Sequence, residues 1–138
     1  MLTANDLMTV NPISVSSDTP LREVVDIMHE EGCRHLPVVD DGQLVGIVTD
    51  RDVRIQLDSP VLHLGRIKWA EEFEQMTATT CMTANPITVS PETSIKKVAE
   101  ILSTYKFGAL PVVDDGTLVG IISEVDLLGY LASLPAIN

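Results

Sequence analysis

The feature that most constrains this chain is a repeat with an offset of 74 residues. Leu36 to Asp52 reads Leu-Pro-Val-Val-Asp-Asp-Gly-Gln-Leu-Val-Gly-Ile-Val-Thr-Asp-Arg-Asp. Leu110 to Asp126 reads Leu-Pro-Val-Val-Asp-Asp-Gly-Thr-Leu-Val-Gly-Ile-Ile-Ser-Glu-Val-Asp. From Met8 to Val53, 22 of 46 positions are identical to their partners without a gap. Average composition would give about one in fifteen to twenty. The two halves must fold alike. A unit of roughly 50 residues is marginal for a core of its own. The repeat therefore predicts two small units that bury apolar faces against each other about an approximate two-fold axis, with clefts built from both. Residues 1–58 read as the first repeat, 59–79 as a connecting segment of helical character, and 80–138 as the second repeat.

Local patterns predict a short strand, a helix, two strands and a helix in each half. Ile13-Ser14-Val15 alternates as a strand does. Asp18-Thr19-Pro20 predicts a capped helix start with proline at the first helical position. Leu21, Val24, Val25 and Met28 then share one helical face, and Gly32 ends the helix. Leu36–Val39 is apolar on both sides, as in a strand covered on both faces. Asp40-Asp41-Gly42 supplies a hairpin turn, Leu44–Val48 returns, and Thr49 caps a helix over Asp50–Leu57. The second half predicts Ile87–Val89, Ser94–Lys106, Ala109–Val113, Leu118–Ile122 and Glu124–Leu131 in the same roles. Ser59-Pro60 interrupts the connection. Val61, Leu64, Ile67 and Trp69 then follow a rough helical spacing, and Glu71, Glu72 and Glu74 read as a solvated helix face.

Composition excludes several function classes. Twenty acidic against nine basic residues give a net charge of −11. A nucleic-acid binder needs a basic face to neutralise phosphates, so no such partner is expected. No apolar run approaches the roughly 20 residues of a membrane helix, and no signal peptide is visible. Cys33 and Cys81 form no CxxC pair, which suits a reduced, cytoplasmic setting. His29, His35, His63 and the two cysteines lack metal-ligand spacing. Cys33 has no evident activating base. Asp40-Asp41 and Asp114-Asp115 precede glycine and read as turn residues rather than catalytic carboxylates. No nucleophile–base pair or glycine-rich phosphate loop is present, so an enzyme is not expected.

The candidate chemistry lies at the end of each repeat, Thr49-Asp50-Arg51-Asp52 and Ser123-Glu124-Val125-Asp126. There a strand runs into a helix. The hydroxyl caps the helix, the helix start favours an anion, and the aspartate lies one turn on. Such a carboxylate can accept two hydrogen bonds from a vicinal diol such as ribose. It can equally close a capping box, worth about 1 kcal/mol of helix stability. Both roles are compatible.

With these motifs in place, the chain resembles a tandem pair of CBS (cystathionine β-synthase) domains, a Bateman module. The shared elements are Met-Thr-x-Asn-Pro-Ile, Leu-Pro-Val-Val-Asp, and Gly followed by two apolar residues and Thr/Ser-x-x-Asp, each present twice. Only 54–80 stands out, as a longer than usual connection. The resemblance implies an α/β fold of two β-α-β-β-α repeats packed as a pseudo-two-fold pair. It implies regulatory binding of an adenosine derivative (AMP, ADP, ATP or S-adenosylmethionine) in two clefts between the repeats. It also implies a homodimer formed through the paired helices and an unidentified target protein. Carried over by position, one cleft would use Thr49 and Asp52 with Met82, Asn85, Ile87, Phe107 and Gly108. The other would use Ser123 and Asp126 with Met8, Asn11, Ile13, Cys33 and Arg34.

The clefts are not expected to be equal. Arg34-His35 stand where the family often places phosphate-reaching cations, whereas Gly108-Ala109 carry no charge. Arg51 has Val125 as its counterpart. The expectation is that the Asp126 cleft takes a phosphorylated nucleotide better. The competing expectation is a structural or dimerisation module whose clefts stay empty.

Overall fold

The computed structural model describes residues 1–58 and 66–136, with the side chains of 66–69 left out. The expectations placed on Ser59-Pro60, Val61, His63, Leu64 and the side chains of Ile67 and Trp69 lie outside the described residues. The chain forms two compact units: Ile13–Pro86, and Met1–Pro12 together with Ile87–Asn138.

In the first unit, α2 (Leu21–Glu31) precedes the hairpin β2 (His35–Asp40) and β3 (Gln43–Thr49), followed by α3 (Asp50–Leu57). After the connection come α4 (Arg66–Gln75), α5 (Ala78–Cys81) and β4 (Thr83–Ala84). β3 is the middle strand, antiparallel to β2 on one side and β4 on the other. The second unit repeats this with α6 (Ile95–Tyr105), β5 (Ala109–Asp114), β6 (Thr117–Ser123) and α7 (Glu124–Ser133). Its remaining strand, β1 (Thr9–Val10), follows α1 (Ala4–Leu7) and pairs with β6.

Each hairpin turns on two residues of positive φ: Asp41 at 49° with Gly42 at 79°, and Asp115 at 51° with Gly116 at 82°. Positive φ at both positions matches the right-handed twist of the flanking strands. Gly32 ends α2 in the left-handed region at φ 64°, as its sequence predicts. Lys106 ends α6 at φ 58° without the help of a glycine.

The cores are aliphatic. In the first unit Leu21, Val24, Met28, Leu36, Val38, Val48 and Val53 pack together. In the second, Val98, Leu102, Leu110, Val112 and Ile122 do the same. Leu36, Pro37 and Val38 are all buried, so β2 is covered on both faces as expected.

Two local expectations are corrected. The strands predicted at Ile13–Val15 and Ile87–Val89 shrink to single parallel bridges, Val15 to Val38 and Val89 to Val112. Val15 donates to Pro37 O at 3.0 Å and accepts from Val39 N at 2.7 Å. Continuing the ladder back to Ile13 would need an N–H from Pro37, which proline lacks. Pro111 stops the second copy in the same way. Pro20 is the residue before α2 rather than its first residue, with φ −56° and ψ 139°. The Thr19 hydroxyl that would have capped the helix accepts instead from Ser16 N at 2.9 Å.

The leaders of the two repeats are exchanged in space. Ala4 N donates to Thr93 O at 2.8 Å and Ile95 N to Leu2 O at 3.0 Å, which fastens the N-terminal leader to the second repeat's body. Ala78 N to Thr19 O at 2.9 Å and Leu21 N to Met76 O at 2.9 Å fasten the internal leader to the first. α4 adds an Arg22–Glu74 ion pair, with the Arg22 guanidinium 5.3 Å from the centre of the Phe73 ring.

Each leader crosses a buried glycine. A Cβ built on Gly46 would lie 2.7 Å from Met82 Sδ and 3.0 Å from Thr83 O. On Gly120 it would lie 2.5 Å from Met8 Sδ and 3.0 Å from Thr9 O. Glycine is required there by close approach rather than by φ. Gly46→Ala is expected to destabilise by about 1–3 kcal/mol through overpacking. Gly129→Ala, in α7 with nothing within 4 Å of its Cβ, should stabilise by about 0.5–1 kcal/mol through helix propensity. Urea unfolding of the two variants checks the pair, and a neutral Gly46→Ala would contradict the packing.

Candidate functional site

Each unit builds a corner where its middle strand enters a helix. In the first, Thr49 Oγ1 accepts from Asp52 N at 3.1 Å, and Asp52 Oδ2 accepts from Thr49 N at 3.4 Å. In the second, Ser123 Oγ accepts from Asp126 N at 3.2 Å, and Asp126 Oδ2 accepts from Ser123 N at 2.8 Å. Both corners are therefore closed capping boxes. Closure does not exhaust the carboxylates. Each uses one oxygen toward its own backbone, and the other retains two lone pairs able to accept from a diol.

The strand next door completes each corner. Asp50 N donates to Arg34 O at 2.9 Å, and His35 pairs with Thr49 across the ladder. Cys33, Arg34, His35, Thr49, Arg51 and Asp52 thus belong to one region of the first unit. Arg34 and Arg51 are exposed, and among the described residues neither joins an ion pair. In the second unit Glu124 N donates to Gly108 O at 2.9 Å and Ala109 pairs with Ser123. That region holds Phe107, Gly108, Ser123 and Asp126, with no arginine. Arg34 and Arg51 lie in the unit of Thr49 and Asp52, and their counterparts Gly108 and Val125 lie in the unit of Ser123 and Asp126.

Each leader runs along the same middle strand toward its far end. Met82 covers Gly46, and Asn85 N donates to Val45 O at 3.1 Å. Met8 covers Gly120, and Asn11 N donates to Val119 O at 3.3 Å. Asn85 and Asn11 adopt φ 49° and 48°, a left-handed conformation that asparagine tolerates better than most residues. Met82 and Asn85 therefore share a unit with Thr49 and Asp52, as Met8 and Asn11 do with Ser123 and Asp126. The remaining residues assigned by resemblance fall in the other unit of each set: Ile87, Phe107 and Gly108 in one case, Ile13, Cys33 and Arg34 in the other.

Two neighbours of these corners escaped the sequence reading. Burial, and then the Asp52 charge, push the Cys81 thiol up to about 11 from the usual 9.0. It is held neutral beside the carboxylate and is a poor nucleophile. Burial likewise raises Cys33. Tyr105 stacks on Phe107 with ring centres 5.4 Å apart and planes 12° apart. The signal was available in a chain with only 4% aromatics, two of which stand two residues apart. Among the described residues no three of His, Cys, Asp and Glu gather as a metal site, and no helix is long and apolar enough to cross a membrane.

The CBS domain family model matches residues 4–59 and 78–133, which is most of the chain and both repeats. The chain belongs to the CBS domain family. A CBS domain-containing protein of Dictyostelium discoideum is 33% identical over 127 residues, 91% of this chain and 88% of that protein. The CBS domain pair of protein MJ0100, solved with 5′-methylthioadenosine and S-adenosyl-L-methionine, superposes with TM-score 0.80 and 29% identity, covering 96% of this chain and 97% of that one. CBSX2, a protein of Arabidopsis thaliana solved with AMP, gives the same score, identity and coverage. Other curated relatives are much longer: the chain spans 46% of a Methanocaldococcus jannaschii protein and 23% of an inosine-5′-monophosphate dehydrogenase. The architecture is that of a pair of CBS repeats, each a small antiparallel sheet with helices.

Proposed function

We propose that this CBS pair is a regulatory, non-catalytic module of the cytoplasm that binds an adenosine nucleotide and reports it to a target protein. The observation that carries this is the duplicated corner, in which Asp52 and Asp126 are each fixed by a capping box yet keep one oxygen for a ribose diol. Relatives of the same fold, solved with AMP or with S-adenosyl-L-methionine and 5′-methylthioadenosine, support the choice of ligand class. On the resemblance, Asp126 with Ser123, Met8 and Asn11 serves one nucleotide together with Ile13, Cys33 and Arg34. Asp52 with Thr49, Met82 and Asn85 serves the other together with Ile87, Phe107 and Gly108. On the resemblance, exposed Arg34 serves the Asp126 ligand and Arg51 stands near the Asp52 ligand. Gly108 gives the Asp52 ligand no counterpart of Arg34, so the Asp126 ligand is the one expected to hold a phosphate better. In a chain of net charge −11 the background field repels phosphates, so these few guanidinium groups decide phosphate affinity.

Calorimetry with AMP tests the reading. A carboxylate lost from two charged hydrogen bonds should cost at least about tenfold in affinity, so Asp126→Ala is expected to abolish most AMP binding while Asp52→Ala removes less. Equal losses would refute the asymmetry. The absence of binding or thermal shift with AMP, ADP, ATP and S-adenosylmethionine would favour the interaction module without nucleotide.

The homodimer belongs to the same proposal. No residue of α7 is fully buried within the chain; Leu127 packs against the core, while Val125, Leu128 and Leu131 are 68%, 61% and 60% exposed. The first repeat has Arg51, Arg54 and Leu57 at these positions. A second copy covering the α7 face would remove this apolar surface from water at about 25 cal/mol per Å². Leu128→Glu should convert a dimer into a monomer in light scattering. A monomeric wild type would refute the assignment.

A further inference from the structure

The second unit carries an open cavity of about 430 Å³ at the hairpin end of β5 and β6, lined by the apolar Met8, Pro91 and Val119 and the polar Thr3, Asn5, Glu92 and Asp114. It lies toward the opposite end of β6 from Ser123 and Asp126, and only Met8 is shared with the proposed nucleotide contacts. The first repeat supplies an internal comparison. There Ser17 N donates to Asp40 Oδ1 at 2.9 Å, and Thr79 Oγ1 donates to Ser17 O at 2.8 Å. The Ser17 hydroxyl and N–H also hold the Asp40 carboxyl below its usual range.

The second repeat has replaced both fastenings. Pro91 stands for Ser17 and has no N–H to give Asp114, while Asn5 stands for Thr79. Asp114 is released from its backbone anchor beside Glu92, and among the described residues neither carboxylate joins an ion pair. No lysine or arginine lines the cavity.

We propose that this cavity is a binding site for a small aliphatic amine, independent of the nucleotide reading. Its volume lies in the usual range of about 300–1,000 Å³ for small-molecule sites, well above what a bare ion fills. Met8, Pro91 and Val119 offer surface to methylene groups, as hydrocarbon stems of ammonium groups require. Glu92 and Asp114 accept from the ammonium groups, and the Asn5 amide adds a further acceptor.

The test is calorimetry of the whole chain with 1,4-diaminobutane at low ionic strength. The expected result is saturable binding at one site per chain. Glu92→Gln combined with Asp114→Asn should weaken it at least about tenfold, since both charged hydrogen-bond acceptors are lost. Glu71→Gln combined with Glu72→Gln removes the same charge from residues that do not line the cavity and should change it less than about twofold, because neither carboxylate accepts from the bound amine. Equal weakening by both double variants would show general attraction to an acidic chain and overturn the proposal. So would the absence of saturable heat, or unchanged binding in Glu92→Gln with Asp114→Asn. 1,4-Butanediol, which has the same length without charge, should not bind; equal binding of the diol would also overturn it.

Discussion

The reciprocal hydrogen bond between a strand-end hydroxyl and an aspartate three residues on is the contact that the rest of this structure turns on. Thr49 with Asp52 and Ser123 with Asp126 end a middle strand, start a helix and fix a carboxylate at the junction in one step. The box satisfies helix N–H groups that would otherwise lack partners, so the carboxylate is held by the fold itself. A ligand diol would then meet an acceptor already in place, without the entropy of ordering a free side chain. On the proposed function, structural and binding roles coincide in Asp52 and Asp126.

Much of this was legible because the signals are local or duplicated. The two hairpins followed from Asp-Asp-Gly, the α3 start from Thr49, and the end of α2 from Gly32. The repeat identified the family and both corners. What was not legible depended on partners distant in sequence. Ile13-Ser14-Val15 alternates like a strand, but its neighbour turned out to present Pro37. The two Met-Thr-x-Asn-Pro leaders are nearly identical, so nothing in either says which repeat's body it will join. Cys81 came to light beside Asp52 only when the internal leader was placed along β3.

The repeats also show how a duplicated fold can diverge without losing its frame. Residues that set the backbone are retained: the glycines under Met8 and Met82, the prolines at 37 and 111, the turn glycines at 42 and 116. The differences that bear on the proposed sites sit at exposed or half-buried positions around that frame. Arg34 and Arg51 give one corner cations that Gly108 and Val125 deny the other. Pro91 and Asn5 release an aspartate that Ser17 fastens in the first copy. Leu128 leaves an apolar side chain exposed on the single chain where the first repeat has Arg54. Substitution at such positions has little effect on folding, which leaves them free to specialise.

The central claim is that the capped aspartates are the ribose-binding points of an adenosine-nucleotide sensor. Nuclear magnetic resonance of the ¹⁵N-labelled chain tests it most directly, because the capping N–H groups of Ser123 and Asp126 report on the carboxylate itself. Addition of AMP is predicted to shift the backbone amides of 123–126 in a saturable manner, with those of 49–52 responding at higher concentration. Amides at both corners that stay unmoved under saturating AMP, ADP, ATP and S-adenosylmethionine would contradict the account.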